Sequence, residues 1–294
     1  MRGQRYMAVA VRGPSDDIVV RSEELPPRLY QSPIARVPLL RGSILLWDTL
    51  GLGMRALMFS ADVAMGEEDV KLSKPVAWFT AALGLVLGIG LFFVLPVVLT
   101  TFVHRQLGSS LLANVLEGVV RLALLVGYVG VIGLMPDIQR VYQYHGAEHK
   151  TINAFEAGVC LRPADIAPFS LRHPRCGTNF LLIVGALSIL VFAPLGRPDS
   201  WLLLVGSRIV LVPVIAGLAY EAIKWGSSHI EHPLIAALMA PGLALQALTT
   251  RQPDLSQLAV AAAALCEVIR LERPELLGEV LATVAAEAVP AQLG

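Results

Sequence analysis

Two of the chain's six histidines fall in one short stretch, Tyr142-Gln143-Tyr144-His145-Gly146-Ala147-Glu148-His149-Lys150-Thr151. Four positions separate His145 from His149. On a helix that spacing stacks two imidazoles one turn apart on one face, where both can reach the same cation. Glu148 follows His145 by three positions and adjoins His149, so its carboxylate can take a proton from a water held by that cation. A polar helix lying on a membrane surface, with its histidines solvated, is the competing reading of the same residues.

The elements that must position these groups belong to a membrane protein. The chain has 294 residues, of which 55% are hydrophobic and only 16% charged, and its mean hydropathy is +0.65. The formal net charge is zero, so no global basic field points to nucleic acid. Cys160, Cys176 and Cys266 form neither a CxxC pair nor an even disulfide framework, which fits reduced thiols in a cytoplasmic compartment. The first 75 residues are mixed and rich in charge, so no secretory signal is expected ahead of the first apolar span.

Read in order, residues 1–33 predict a small β-hairpin, with Met7 to Val11 and Ile18 to Val20 as strands about the turn Arg12-Gly13-Pro14-Ser15-Asp16-Asp17. Residues 34–76 mix apolar positions with Arg41, Asp48, Arg55 and Asp62, which predicts an amphipathic helix lying in the interface. Residues 77–221 predict a four-helix membrane domain. Its spans are Ala77 to Val103, Leu111 to Met135, Phe180 to Leu195 and Leu202 to Ala219, and the polar connection 136–178 carries the histidine motif. Residues 222–294 predict a further interfacial helix and a cytoplasmic helical tail. The fold class is therefore an all-α polytopic membrane protein with about four transmembrane helices, interfacial helices and an N-terminal hairpin. No internal repeat is found.

Arginine and lysine orient this arrangement. Segments 1–76, 136–178 and 222–294 carry ten, five and four positive residues, nineteen together, against only Arg105 and Arg197 on the alternate turns. By the positive-inside rule both termini and the histidine motif face the cytoplasm of a bacterial inner (plasma) membrane. A catalytic zinc site needs about three protein ligands plus water, so His145 and His149 require a third. Glu156 lies seven residues past His149, a rise of ~10 Å, and is better placed to orient His149 from behind than to share its ion. Glu221 ends an inward-running span and meets the surface where the motif lies. Inverted zinc proteases, with the order His-x-x-Glu-His, likewise take a distant downstream glutamate.

Other groups compete for a place. His173, Arg175 and Cys176 sit in Leu171-Arg172-His173-Pro174-Arg175-Cys176-Gly177-Thr178, as alternative ligands or neighbours of the site. Cys176 could also be a nucleophile with His173 as base, and His173-Pro174 could simply cap the approach to the third span. His229 and His232, with Glu231 between them, read as a helix cap before a second site. His104 falls on an outer turn, while Cys160 and Cys266 read as small apolar residues. Within the spans, Glu117 and Arg121 are four apart and share a face, and Asn114 lies one turn away. Glu117 and Arg208 each sit six residues into a span that starts outside, so both reach similar depth. Pairing among Asn114, Glu117, Arg121 and Arg208 is expected, because a lone charge in hydrocarbon costs at least ~2.5 kcal/mol.

Several blocks resemble one family. They are Asn114-x-x-Glu117-Gly118-x-x-Arg121, the run Tyr144 to Glu156, His173 to Thr178, Arg208 to Glu221, and Pro241-Gly242-Leu243 with Gln246 and Leu248-Thr249-Thr250. From about Met1 to Leu265 the chain is similar to the YqhQ-like family of bacterial membrane proteins. That resemblance implies a membrane fold and a predicted metal-dependent enzyme of a largely uncharacterised kind, and it supplies no substrate. Family members usually begin with a Gly-rich stretch ahead of the residues that here are Met1-Arg2-Gly3, so the resemblance implies chain upstream of Met1.

Two functions follow. The first is a metal-dependent, zinc-type hydrolase acting at the cytoplasmic face on a peptide or lipid-linked substrate. In it His145, His149 and Glu221 hold the divalent ion and Glu148 is the base. The second is a non-enzymatic membrane factor whose His/Glu/Arg cluster is structural or binds lipid headgroups. Either way the lipid bilayer is the partner that the composition names, and no nucleic acid is expected.

Overall fold

Prolines open several of the helices in the computed structural model, which describes residues 1–26, 37–65, 74–196, 198 and 200–281. Strands β1 (Tyr6–Arg12) and β2 (Ile18–Glu24) pair antiparallel, with Val9 opposite Arg21. Helix α1 (Leu40–Met65) follows, then α2 (Lys74–Ile89), a π-helical turn (Gly90–Val94) and α3 (Leu95–Leu107) as one continuous rod. Next come α4 (Ser110–Ile132), α5 (Pro136–Glu156), the short α6 (Pro163–Ile166) and α7 (Gly177–Phe192). The chain ends with α8 (Trp201–Val210), α9 (Val212–Ser228), α10 (Pro233–Thr249), α11 (Leu255–Glu272) and α12 (Pro274–Leu281).

Among the described residues, five helical runs are long and apolar enough to cross a membrane: Arg41–Ala64, Trp78–Val103, Ser110–Ile132, Gly177–Leu195 and Trp201–Ser228. The protein is thus a multi-pass, all-α membrane protein with a small N-terminal hairpin. Large apolar side chains such as Trp78, Phe79, Leu85 and Phe102 stand exposed along these runs, as a lipid-facing surface requires. The last run is not one helix. It breaks at Leu211, where Pro213 can supply no N–H to the ladder.

The run 41–64, expected to lie in the interface, is also apolar enough to span. It packs against both α9 and the N-terminal hairpin. Leu52 is buried with Met7 and Leu25 of the hairpin region, and Arg55 donates to Glu23 at 2.9 Å. Trp47 and Leu50, 80% and 61% exposed, leave an apolar face uncovered. Near its start, α1 lies directly against α9, where a Cβ on Gly217 would stand 2.4 Å from the Leu39 carbonyl oxygen.

The polar layer is built on α5 and α11. Pro136 opens α5 at its first turn, where a missing N–H costs nothing. Gly158, at φ 70°, closes it in a Schellman turn, with Val159 N–H on Ala154 O and Gly158 N–H on Phe155 O. Asp254 and Gln257 form a capping box at the start of α11, a device worth about 1 kcal/mol. Ala147 and Ala154 of α5 meet Leu258, Ala261, Ala262, Leu265 and Ile269 of α11, and Leu161 and Ile166 close the cluster. Alanines on the facing helices allow a close approach. The hairpin is tied on by Glu272, whose carboxylate accepts from the N–H groups of Gln4, Arg5 and Tyr6 at 2.7–3.0 Å.

Inside the spans the four buried polar residues meet. Arg121 donates to Glu117 at 2.8 Å, Arg208 donates to Glu117 at 3.1 Å, and Arg208 also donates to the Asn114 amide oxygen at 2.9 Å. Glu117 and Arg208 are each 1% exposed. Asn114 turns its amide N–H to the carbonyls of Phe192 and Gly196, closing the end of α7. Arg121 has a second task. Pro96 cannot donate to the Phe92 carbonyl four residues back, and Arg121 Nε–H supplies that bond at 2.8 Å. The Phe192 ring lies under both guanidinium groups, at 4.5 and 5.4 Å.

Removing one member of such a set strands the others, at a cost of about 3–5 kcal/mol. Glu117→Ala should therefore lower the folded, monodisperse yield sharply. Glu117→Ala with Arg208→Leu should recover part of it, as size-exclusion recovery after detergent extraction will show. A double variant that folds no better than the single one would contradict the pairing.

Candidate metal centre

Helix α5 lies across the end of α10, and that contact sets the histidines. A Cβ on Gly146 would stand 2.3 Å from the Arg251 carbonyl oxygen, so only glycine lets the motif approach so near. Arg251 N–H donates to the Tyr142 carbonyl at 2.9 Å. His145 Nδ1 then lies 2.9 Å from the Thr249 carbonyl, and His149 Nδ1 lies 2.6 Å from the Leu171 carbonyl. A carbonyl oxygen only accepts, so each Nδ1 carries the proton and each neutral ring presents its Nε2 lone pair. Backbone carbonyls behind ligand histidines fix ring and tautomer in this way at metal sites.

Facing both rings is Cys176, the N-cap of α7. Its sulfur is 3.2 Å from His145 Nε2 and 3.4 Å from the Thr178 amide nitrogen. The ligand atoms of His145, His149 and Cys176 all lie within 4.8 Å of one another, the group of three among the described residues that could hold a metal ion. In a tetrahedral zinc site with Zn–N about 2.0 Å and Zn–S about 2.3 Å, neighbouring ligand atoms stand roughly 3.3–3.6 Å apart. Two imidazoles and a thiolate fit that ion in kind, and the His145–Cys176 pair, at 3.2 Å, is close to that spacing.

Glu148 is exposed and opens onto the same cavity, of about 590 Å³, together with His145, His149, His173 and Cys176. His173 is 5% exposed, and its Nε2 is buried without a hydrogen-bond partner, 3.6 Å from Glu156. Its backbone is clamped by Gln246, which accepts the His173 N–H at 3.0 Å and donates to its carbonyl at 2.8 Å.

Other residues singled out in the sequence are placed elsewhere. Glu221 stands outside the group of three; Arg41 binds both its oxygens, and through Nε at 2.6 Å. Its negative charge is thereby committed to the start of α1. Glu156 turns to Arg175 and His173 rather than to His149, whose Nδ1 is taken by Leu171. His232 is the N-cap of α10, its Nδ1 accepting from Leu234 N–H at 3.3 Å, and His229 stacks on Trp225 at 5.0 Å. Lys150, buried, donates to the carbonyls of Ala167 and Phe169 and holds the loop after α6. The side chains of His104 and Arg105, residue Arg197 and the tail 282–294 lie outside the described residues. Sequence reasoning assigned no role to Gln246, Thr249 or the Leu171 carbonyl. Gln246 and Thr249 do stand in motif blocks, but a backbone acceptor leaves no residue-type signal.

Burial pushes the Cys176 thiol up, but hydrogen bonds from His145 and His149 outweigh it and hold the thiol down at about 5. Burial lowers the basicity of His145, and the Cys176 contact reverses that and raises it. His173 is lowered, chiefly by burial, against the opposing pull of Glu156. A depressed thiol pKa means that the thiolate persists down to that pH and is lost below it. In metal-free protein, Cys176 should therefore alkylate with iodoacetamide at pH 6, with the rate falling as pH drops through about 5. Cys266, raised by burial, should lag behind. His145→Ala should move the Cys176 profile upward, read by peptide mass spectrometry; an unmoved profile would contradict the pairing.

Residues 37–271 match the family model described as protein of unknown function (DUF1385), a stretch that holds every ligand candidate. The chain is 29% identical over 252 residues to the uncharacterized protein YqhQ of Bacillus subtilis (strain 168), covering 81% of this chain and 79% of that protein. No solved structure matches it. The chain belongs to the DUF1385 family, a YqhQ-like family of proteins of unknown function.

Proposed function

We propose that this protein is a metal-dependent hydrolase working at the membrane surface, with a zinc-type ion held by His145, His149 and Cys176. The observation that carries this reading is the convergence of the three ligand atoms within 4.8 Å, with both imidazoles oriented through Nδ1 by backbone carbonyls. A zinc-type ion would supply Lewis acidity and a water of pKa near ~7. Glu148, exposed on the same cavity, would be the base that takes a proton from water and returns it to the leaving group. His173 lines the same cavity, with its Nε2 turned to Glu156 at 3.6 Å. The substrate is a peptide or lipid-linked compound that reaches the 590 Å³ cavity from the membrane surface.

A non-enzymatic role has one observation in its favour. The two histidines tie α5 to the Thr249 and Leu171 carbonyls, a structural contact in its own right. Metal content separates the readings. Purified wild type should carry about one zinc-type ion per chain, and His145→Ala, His149→Ala and Cys176→Ser should each lose it. Glu221→Gln should keep it. Glu148→Gln should also keep it and lower hydrolysis by about 10²–10⁴-fold, the usual worth of a general base. Equal metal content in wild type and all three ligand variants would sink the enzyme reading.

The distribution of positive charge supports a cytoplasmic position for this site in a bacterial plasma membrane, nineteen basic residues against two. Arg172, exposed beside the site, is the position to label. Arg172→Cys should react with a membrane-impermeant maleimide only after the cells are opened; labelling of intact cells would reverse the orientation.

A further inference from the structure

Cys176 stands on the wall between two cavities. The first is the histidine-lined one already described. The second, of about 400 Å³, lies on the other side of Arg175, Cys176 and Gly177, which line both. Its walls are Leu45 of α1, Phe180 of α7 and Tyr220 and Ile223 of α9, and each of these helices is apolar enough to cross a membrane. That volume falls within the range of small-molecule sites.

The wall offers little to a peptide. The Ser227 hydroxyl donates to the Lys224 carbonyl at 3.2 Å, and the Thr49 hydroxyl accepts from Arg2 at 3.4 Å. A peptide backbone pressed into this groove would bring N–H and C=O groups that find few partners, each costing free energy when buried unpaired. A hydrocarbon chain asks for none. The exposed ammonium of Lys224 lines the groove and suits an anionic head group, and Arg175, paired with Glu156, lines both cavities.

We propose that the second cavity holds the hydrocarbon chain of a membrane lipid whose head group lies over His145, His149 and Cys176. This rests on the hydrolase reading and narrows its substrate from peptide or lipid-linked compound to the lipid-linked class. The chain would enter between α1 and α9 from the bilayer and place the reacting bond at the seam that Cys176 marks.

The test is photolabelling of the full-length protein in nanodiscs with phosphatidylglycerol bearing a diazirine in one acyl chain. Adducts should concentrate on Leu45, Phe180 and Ile223. Filling the groove by Ile223→Trp, or independently by Thr49→Trp, should cut those adducts several-fold while metal content stays at the wild-type level. Retained metal also shows that the variants fold. Adducts spread over outward-facing residues such as Phe79 and Leu85, and indifferent to both fillings, would overturn the lipid site. So would stronger labelling of the groove by a diazirine-bearing polyleucine peptide. Groove labelling in protein that carries no metal would leave the lipid site standing and remove the hydrolase reading, so the two failures are distinguishable.

Discussion

The last turn of α10 is the contact on which the rest of the site depends. Gln246, fully buried, grips the backbone of His173 in both directions. One turn on, the Thr249 carbonyl orients His145, and its hydroxyl meets that of Thr178 at 3.2 Å beside Cys176. Arg251 then binds the Tyr142 carbonyl and lies against Gly146. A single stretch of chain thus fixes three separate segments: the histidine helix, the loop before α7 and the N-cap of α7. Rigid elements bearing backbone acceptors are what hold ligand side chains to the tolerance a metal needs.

Beneath this layer the spans are held by a different means. Apolar helices in lipid gain little from burying one another, so polar contacts and close packing decide their arrangement. Glu117 pairs with two arginines from different helices, and Arg121 closes the backbone gap that Pro96 opens in the α2–α3 rod. Asn114 extends the set to the end of α7. The N-terminus of that same helix carries Cys176. Charge pairing within the spans therefore bears on where the sulfur sits at the surface.

The parts that could be read in the sequence obey short periodicities. His145 and His149 share a face because four residues make about one turn. The depths of Glu117 and Arg208 could be counted from the ends of their spans, and the two side chains meet. The third member of the candidate metal group was harder to rank. Glu221 and Cys176 were both available by residue type, and nothing local says that Arg41, 180 positions earlier, takes the glutamate. Arg41 sits in the stretch whose place, interfacial or spanning, composition does not decide. Glu156 raised the same difficulty. Its helical face suggested His149, whereas the loop folding back from α6 offers Arg175 and His173 instead. The carbonyls of Thr249 and Leu171 could not be read at all, because every residue has one.

The central claim is that one ion is shared by two imidazoles and the Cys176 sulfur. X-ray absorption at the zinc edge of the purified, zinc-loaded protein tests it most directly. The account predicts one sulfur scatterer at about 2.3 Å with nitrogen or oxygen neighbours at about 2.0–2.1 Å, and loss of the sulfur shell in Cys176→Ser. A wild-type spectrum fitted by nitrogen and oxygen alone, unchanged by Cys176→Ser, would contradict it.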